Sequence, residues 1–236
     1  MFHTFVVQPI YNAFILLLNL MPGGDVGLAI IALTLLVRFI FYPLFMSSLR
    51  TQMAMQAVQP ELNRINEKHK DDATVRAQET AALFTKHRIK PFSLIFSTVL
   101  QLVIFIGLSY VFFRLAPPAI HSDLLYSFVH TPGVVGTRFL GLMDVTARSN
   151  AILALIVGAT QYYAIKLSLD RTGKPAPDAT AEKIAAQKMQ RNMMIVMLPV
   201  MGAVFTYTFP AGVGIYMIVT SLVSIAQEII IKQRPL

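Results

Sequence analysis

Arg38 is the residue of this chain that most clearly calls for a chemical explanation. It lies within the apolar segment 27–46, which contains no Asp or Glu. An ionised side chain at the centre of a bilayer costs roughly 2.5–3.5 kcal/mol on insertion scales, so such residues usually face protein or water. Arg38 therefore predicts a hydrated cavity inside the membrane. The alternative is that its side chain extends to the membrane surface, since Met46 is only about 12 Å further along the helix.

Polar residues recur at helical spacing in the other apolar segments as well. Ser and Thr often hydrogen-bond to their own or a neighbouring helix, at about 0.6 kcal/mol, so each one alone has an ordinary structural explanation. Several aligned stripes beside an arginine instead predict the wall of a hydrated cavity, because a guanidinium has five N–H donors that need oxygen acceptors from side chains or water. The candidate residues of this wall, which would bind a substrate, are Thr34, Arg38, Ser97, Gln101, Gln161, Tyr216 and Thr220. Tyr42, Ser93, Ser224 and Gln227 continue the stripes.

The composition indicates an all-α polytopic membrane protein. Hydrophobic residues make up 55% of the 236, charged residues 14%, and the mean hydropathy is +0.60. About 20 apolar residues are needed to cross a bilayer as a helix. Five transmembrane helices are predicted, at residues 27–46, 92–113, 150–169, 193–209 and 211–231. Residues 1–26 are predicted to form an amphipathic interfacial helix, because Gln8, Asn12 and Asn19 share one helical face.

The basic residues predict the orientation of these helices. Sixteen of the twenty Lys and Arg lie in residues 50–90, 166–191 and 232–234, which the positive-inside rule places in the cytoplasm. The N-terminus and the loop 115–147 are therefore expected outside, with the C-terminus inside. Residues 49–90 predict a cytoplasmic helical hairpin, whose second helix starts after Asp72 as its N-cap. Pro60 is expected to bend or end the first.

Several other function classes find no support in the sequence. There is no phosphate-binding G-x-x-x-x-G-K-[ST] motif, no H-E-x-x-H motif and no cysteine, and all five histidines lie outside the predicted spans. We therefore expect no enzyme activity, no cofactor and no bound metal. The net charge is +8, and the basic residues that produce it lie near the ends of the spans. This position is typical of residues that determine topology or contact lipid headgroups, so DNA binding is not expected. Contact with ribosomal RNA stays open.

Three sequence strings resemble the YidC/Oxa membrane protein insertase family. They are TLLVRFIFYPL, QPELNRINEKHKDD and FPAGVGIYMIVTSLVSIAQE. The resemblance implies five core spans around a hydrophilic groove that is open to the cytoplasm and the lipid and closed outside. It also implies that Arg38 is the groove arginine and that Gln101 and Tyr216 match a glutamine and a tyrosine of the family. Met217 stands where the family often has Trp.

The resulting prediction is a nucleotide-independent insertase and chaperone for membrane proteins in the bacterial inner membrane, able to act as a monomer. The expected partners are nascent membrane proteins, the lipid bilayer and the ribosome, with a Sec translocon left open. A small-solute transporter or channel is one alternative, for which Glu228 is the only acidic candidate near a span. The other alternative is a passive chaperone that holds spans without translocating tails.

Overall fold

The protein is built almost entirely of α-helices, which confirms the predicted fold class. The computed structural model describes residues 3–114, 120–170 and 181–233. Its helices are α1 Gln8–Leu20, α2 Val26–Ile40, α3 Tyr42–Lys68, α4 Ala73–Lys86, α5 Pro91–Arg114, α6 Ala151–Leu169, α7 Ala181–Thr208 and α8 Ala211–Gln233. A π-helical turn, His3–Val7, leads into α1. Helices α6, α7 and α8 pack together, while α3 contacts both α2 and α5, and each of these three helices contacts α8.

Several helices in the described part of the chain are long and apolar enough to cross a membrane. Four qualify individually, and the bent pair of α2 and α3 would make a fifth. The four are His3–Leu20, Pro91–Val111, Ala151–Leu169 and Ala211–Ile231. His3–Leu20 lies within the segment predicted to be interfacial. The predicted span 193–209 corresponds to the second half of α7. The first half of α7 is charged, and with both halves α7 is the longest of the described helices. These features describe a multi-pass membrane protein.

The first predicted span is broken rather than continuous. Helix α2 ends at Ile40, and α3 begins at Tyr42 at an angle of 69° to it. Pro43 lies in the first turn of α3, where its missing N–H costs nothing and its fixed φ favours the start of a helix. The expectation that a separate helix begins at Leu49 is therefore wrong. The helix that begins at Tyr42 also continues through Pro60, which does not end it.

Helix α4 begins where the sequence predicts. The side chain of Asp72 accepts hydrogen bonds from the backbone N–H groups of Thr74 and Val75, both at 3.0 Å. These bonds satisfy two of the N–H groups that the first turn of a helix leaves without partners. Helix α4 packs against α3 through a small apolar cluster centred on Val58 and Leu83. We call the end of the molecule at which α3 and α4 lie the hairpin end.

The polar face of α1 contacts protein. Asn12 is only 1% exposed, and its side chain donates to the Leu124 carbonyl at 2.9 Å and accepts from the Tyr126 N–H at 2.7 Å. Gln8 donates to the same Leu124 carbonyl, and Asn19 donates to a carbonyl of the same segment. The polar stripe that suggested an amphipathic helix thus binds the backbone of residues 120–149. The interfacial placement of α1 stays a prediction.

Residues 120–149 cover one end of the helices, which we call the loop end. The segment contains a short antiparallel ribbon, β1 Arg138–Phe139 and β2 Met143–Asp144, which the sequence did not predict. Asp25 caps α2 by accepting from the Leu28 N–H at 3.1 Å and accepts from the Leu140 N–H at 2.7 Å. The predicted external loop 115–147 begins with residues 115–119, which lie outside the described residues.

The hydrophobic core lies next to the loop end. It is formed by α1, the first half of α2, the second half of α5 and the first turns of α8, which pack with almost no exposed apolar surface. Its most buried members include Tyr11, Phe14, Ile30, Val111 and Val213. Towards the hairpin end the same helices separate, because their facing residues become polar and α3 turns away from α2. The fold is therefore dry at the loop end and open further along.

Asp25 predicts a test of how the loop end is closed. Asp25→Ala removes both the cap of α2 and the bond to the ribbon, so we expect a loss of about 2 kcal/mol in stability. Asp25→Asn keeps one carbonyl acceptor and should lose less. The measurement is thermal unfolding in detergent, followed by circular dichroism. Asp71→Ala, at an exposed position between α3 and α4, is the control. Equal melting temperatures for Asp25→Ala and the control would contradict this role.

Candidate functional site

A cavity of about 630 Å³ lies between the helices on the hairpin side of the core. Its walls are formed by α2, α3, α5, α6 and α8, so residues far apart in sequence meet around one space. Six of the seven candidate residues line it: Arg38, Ser97, Gln101, Gln161, Tyr216 and Thr220. The apolar side chains of Phe105, Ile165 and Met217 share the walls with them. The cavity could therefore hold a segment that carries both polar and apolar groups.

Arg38 presents its charge to this cavity. The side chain is half-buried, and its guanidinium carbon lies 4.4 Å from the centre of the Phe45 ring. A cation over an aromatic face is stabilised by about 0.5–2 kcal/mol, depending on its hydration. No salt bridge to Arg38 is formed within the described part of the chain. The ring supports the guanidinium without neutralising it, which suits the group for binding a carboxylate.

Gln101 and Tyr216 join α5 to α8 at the closed end of the cavity. The Gln101 side-chain amide donates a hydrogen bond to the Tyr216 hydroxyl. Tyr216 is only 5% exposed, and its ring lies 6.1 Å from that of Phe105. The ring of Tyr216 therefore packs in the core, while the residue also lines the cavity. This contact fixes the amide of Gln101 at the boundary between the dry and polar halves of the molecule.

The serine stripe of α5 holds α3 in place. The hydroxyls of Ser97 and Ser48 are 2.7 Å apart, and those of Ser93 and Thr51 are 3.1 Å apart. Ser97 also lines the cavity, so the same residue forms part of the cavity wall and joins α5 to α3. For this stripe the ordinary explanation, a polar contact between neighbouring helices, accounts for the hydrogen bonds that the structure shows.

Thr34 and Tyr42 do not line the main cavity. The Thr34 hydroxyl donates to the Ile30 carbonyl of its own helix at 2.7 Å, and the residue borders only a small void of about 10 Å³. Tyr42 is 39% exposed. Because α2 ends at Ile40, the spacing of four residues no longer carries Tyr42 onto the face of Arg38. The break therefore ends the predicted stripe at the arginine.

Gln161 of α6 lines the cavity, and its side chain packs against α7. It is half-buried on α6, and its side-chain amide lies directly against Gly202 of α7. A Cβ atom at position 202 would overlap with that amide. Gly202 is therefore the position that leaves room for Gln161, a dependence that the sequence of either helix does not reveal.

The sequence-based list omitted several polar residues that line the cavity. Ser48 and Gln52 extend from α3 and Ser168 extends from α6. Gln227, which was predicted only to continue the stripe of α8, and Glu228 extend from the last turns of that helix. Ser48 and Gln52 are four residues apart, which is a helical signal, but the segment was assigned to a separate cytoplasmic helix. Among the described residues no group of three or more His, Asp or Glu side chains could hold a metal ion.

The contact between Gln161 and Gly202 gives a test of the geometry. Gly202→Ala should raise the melting temperature in detergent less than Gly158→Ala does, because its methyl group displaces the Gln161 amide and so offsets part of the helix preference of Ala. Gly158→Ala is the matched control, since a methyl group there makes ordinary contacts, the nearest at 3.4 Å from Ala203. In a Gln161→Ala background the difference between the two substitutions should largely vanish. A difference that is unchanged in this background would contradict the contact.

Comparison with known proteins identifies the family of this chain. The family model of the 60Kd inner membrane protein matches residues 17–235. Membrane protein insertase MisCA of Bacillus subtilis is 32% identical over 232 residues, which cover 97% of this chain and 78% of that protein. Membrane protein insertase YidC of Clostridium tetani is 30% identical, over 90% of this chain and 84% of its own length.

A longer relative matches over the same region. Membrane protein insertase YidC of Marinobacter nauticus is 30% identical over 89% of this chain, but the match covers only 32% of that protein. The similarity therefore concerns the helical region that surrounds the cavity, and it confirms the family resemblance drawn from the sequence motifs. The chain belongs to the 60Kd inner membrane protein family, which is the YidC/Oxa family of membrane protein insertases.

Proposed function

We propose that this protein inserts membrane proteins into the bilayer by offering their polar segments a hydrated, positively charged groove. The relatives are named membrane protein insertases, which supports the general function. The observation that carries the mechanism is the position of Arg38. Its guanidinium faces a cavity lined with amides and hydroxyls, and a dry core separates this cavity from the loop end.

The proposed orientation follows from charge. Family membership and the apolar helices describe a multi-pass protein of the inner membrane. The hairpin end carries most of the Lys and Arg, so it would face the cytoplasm under the positive-inside rule, with the loop end outside. Residues 27–236 would then form the insertase core, with the loop 115–147 and residues 1–26 on the outer side. Ribosomes and a Sec translocon would be approached from the hairpin end.

The groove would act by shortening the path through lipid. A polar tail that crosses an unmodified bilayer loses its hydration over about 30 Å of hydrocarbon. A tail that enters the groove from the hairpin end would keep water and side-chain partners as far as Arg38. Gln101, Gln161, Ser97 and Thr220 would exchange hydrogen bonds with it. Thr34 would contribute indirectly, through the helix that carries Arg38.

Burial of the substrate's apolar span would drive the process. Transfer of apolar surface out of water yields roughly 25 cal/mol per Å², so a new transmembrane helix supplies far more than the polar tail costs. The second and fourth predicted spans carry large exposed apolar side chains, among them Val99 and Val200, which would face the lipid. Along these faces the substrate helix could leave. Nucleotide hydrolysis would not be needed.

The direct test is protease protection of a substrate with one span and a short tail, synthesised beside liposomes without any nucleotide-driven motor. We expect the tail to become protected only when liposomes contain the purified protein. Substrate that crosslinks to the protein while its tail stays unprotected would favour a passive chaperone and overturn the proposed activity.

Substitutions of Arg38 test the electrostatic part of the proposal. For substrates with acidic tails, Arg38→Lys should retain more protection than Arg38→Ala, because the ammonium keeps the charge but loses the planar N–H donors. For uncharged tails the two variants should differ little. Arg50→Ala, at an exposed position of α3, controls for the loss of one positive charge. Equal protection with all variants and both tails would remove charge attraction from the mechanism.

A further inference from the structure

The ribbon at the loop end carries two exposed leucines at its tip. Leu140 and Leu142 lie in the turn between β1 and β2, and they are 58% and 85% exposed. The strand residues on either side, Phe139 and Met143, pack against the hydrophobic core instead. Single exposed apolar residues are common on protein surfaces, but here two of them flank one glycine in a single turn. The tip is therefore an apolar protrusion on a segment that otherwise packs against protein.

The backbone of this turn makes leucine an unusual choice. Leu140 has a φ of +51° and Gly141 a φ of +73°, and the Leu142 N–H donates to the Phe139 carbonyl at 2.9 Å. Turns with positive φ at both central residues favour Asn, Asp or Gly, and a bulky residue there is strained. Strained positions of this kind cluster where a side chain has a function. Folding of the ribbon therefore does not account for the leucine.

The tip lies level with the first residues of two membrane helices. The Leu140 N–H donates at 2.7 Å to the carboxylate of Asp25, which is the N-cap of α2. On the other side of the ribbon, the Val145 carbonyl accepts at 2.8 Å from the N–H of Gly212 in the first turn of α8. Both helices belong to candidate membrane spans. A turn that is bonded to the ends of such helices lies where the hydrocarbon core meets the headgroups.

The chemistry around the tip suits lipid better than water or a protein partner. Arg138 precedes the turn and Arg148 follows β2, and both are exposed. Interfacial segments combine apolar side chains that enter the acyl boundary with basic side chains that stay at the level of the phosphates. A protein partner would have to displace lipid from the helix ends to reach the two leucines. The bilayer is already in contact with this position.

We propose that Leu140 and Leu142 insert into the leaflet at the loop end and anchor the bundle in the lipid interface. This inference goes beyond the proposed function, and it holds whether or not the groove inserts substrates. The anchor would set the depth of Arg38, because the tip is bonded to the N-cap of the helix that carries it. Arg38 follows Asp25 by thirteen residues, or about 20 Å at the helical rise. The ribbon would thereby hold the arginine at a constant distance from the surface.

Tryptophan fluorescence tests this contact directly, because the chain contains no tryptophan. Leu142→Trp in the full chain is reconstituted into vesicles of phosphatidylcholine and phosphatidylglycerol, without any substrate protein. An interfacial side chain lies about 5–10 Å into the boundary between headgroups and acyl chains, so lipids brominated near the headgroup should quench roughly half of its fluorescence. Lipids brominated near the chain end should quench less, and iodide on both sides of the membrane should quench little.

Two further positions calibrate the measurement. Val99→Trp, at an exposed position of α5 within a candidate span, should be quenched by brominated lipids. Gln78→Trp, at an exposed position of α4 at the hairpin end, should be quenched by iodide. Melting temperatures in detergent identify variants that fail to fold. Leu142→Cys with a polarity-sensitive label gives a second readout at the same position, because the chain contains no cysteine.

Two outcomes would overturn the anchor. Emission of Leu142→Trp at long wavelength, with strong quenching by iodide and none by brominated lipid, would place the tip in water. Emission at short wavelength without quenching by brominated lipid would show that protein covers the tip. Neither outcome bears on the proposed insertase activity, which protease protection measures separately.

Discussion

An arginine charge within an apolar helical bundle is the constraint on which the rest of the structure depends. In lipid Arg38 would be costly, and no described carboxylate forms a salt bridge with it. The aromatic face of Phe45 supports the guanidinium from one side. The break after Ile40 turns α3 so that it brings Phe45 and Ser48 into the wall of the cavity. The bend thus supplies the surroundings that a straight span could not give.

The second feature is the contrast between the two halves of the bundle. Near the loop end, Asp25 and Asn12 hold residues 120–149 over a core with almost no exposed apolar surface. Beyond Tyr216 the facing residues turn polar and the helices separate around the cavity. Under the proposed function, a closed core beside an open cavity would let a polar segment enter from one side only. This asymmetry suits partial entry into a bilayer better than a continuous pore.

Local sequence signals predicted the elements, and tertiary contacts decided the rest. Hydropathy indicated where the helices lie, and Asp72 marked the start of α4, because both signals act over a few residues. Pro43 was available as a local signal for the break, but the continuous apolar run concealed it. The partners of Asn12 and the space that Gly202 leaves for Gln161 depend on segments more than forty residues away. Such contacts are set by packing, which helical periodicity does not report.

In the proposed mechanism, water reaches the depth of the cavity from the hairpin end and stops at the core. Because the chain contains no cysteine, single cysteines can report this directly. A membrane-impermeant maleimide should label Ser224→Cys and Thr220→Cys from the hairpin side of oriented vesicles, and it should label Val213→Cys from neither side. Protection of Thr220→Cys from the reagent, or labelling of Val213→Cys, would contradict a hydrated cavity that is closed at the loop end.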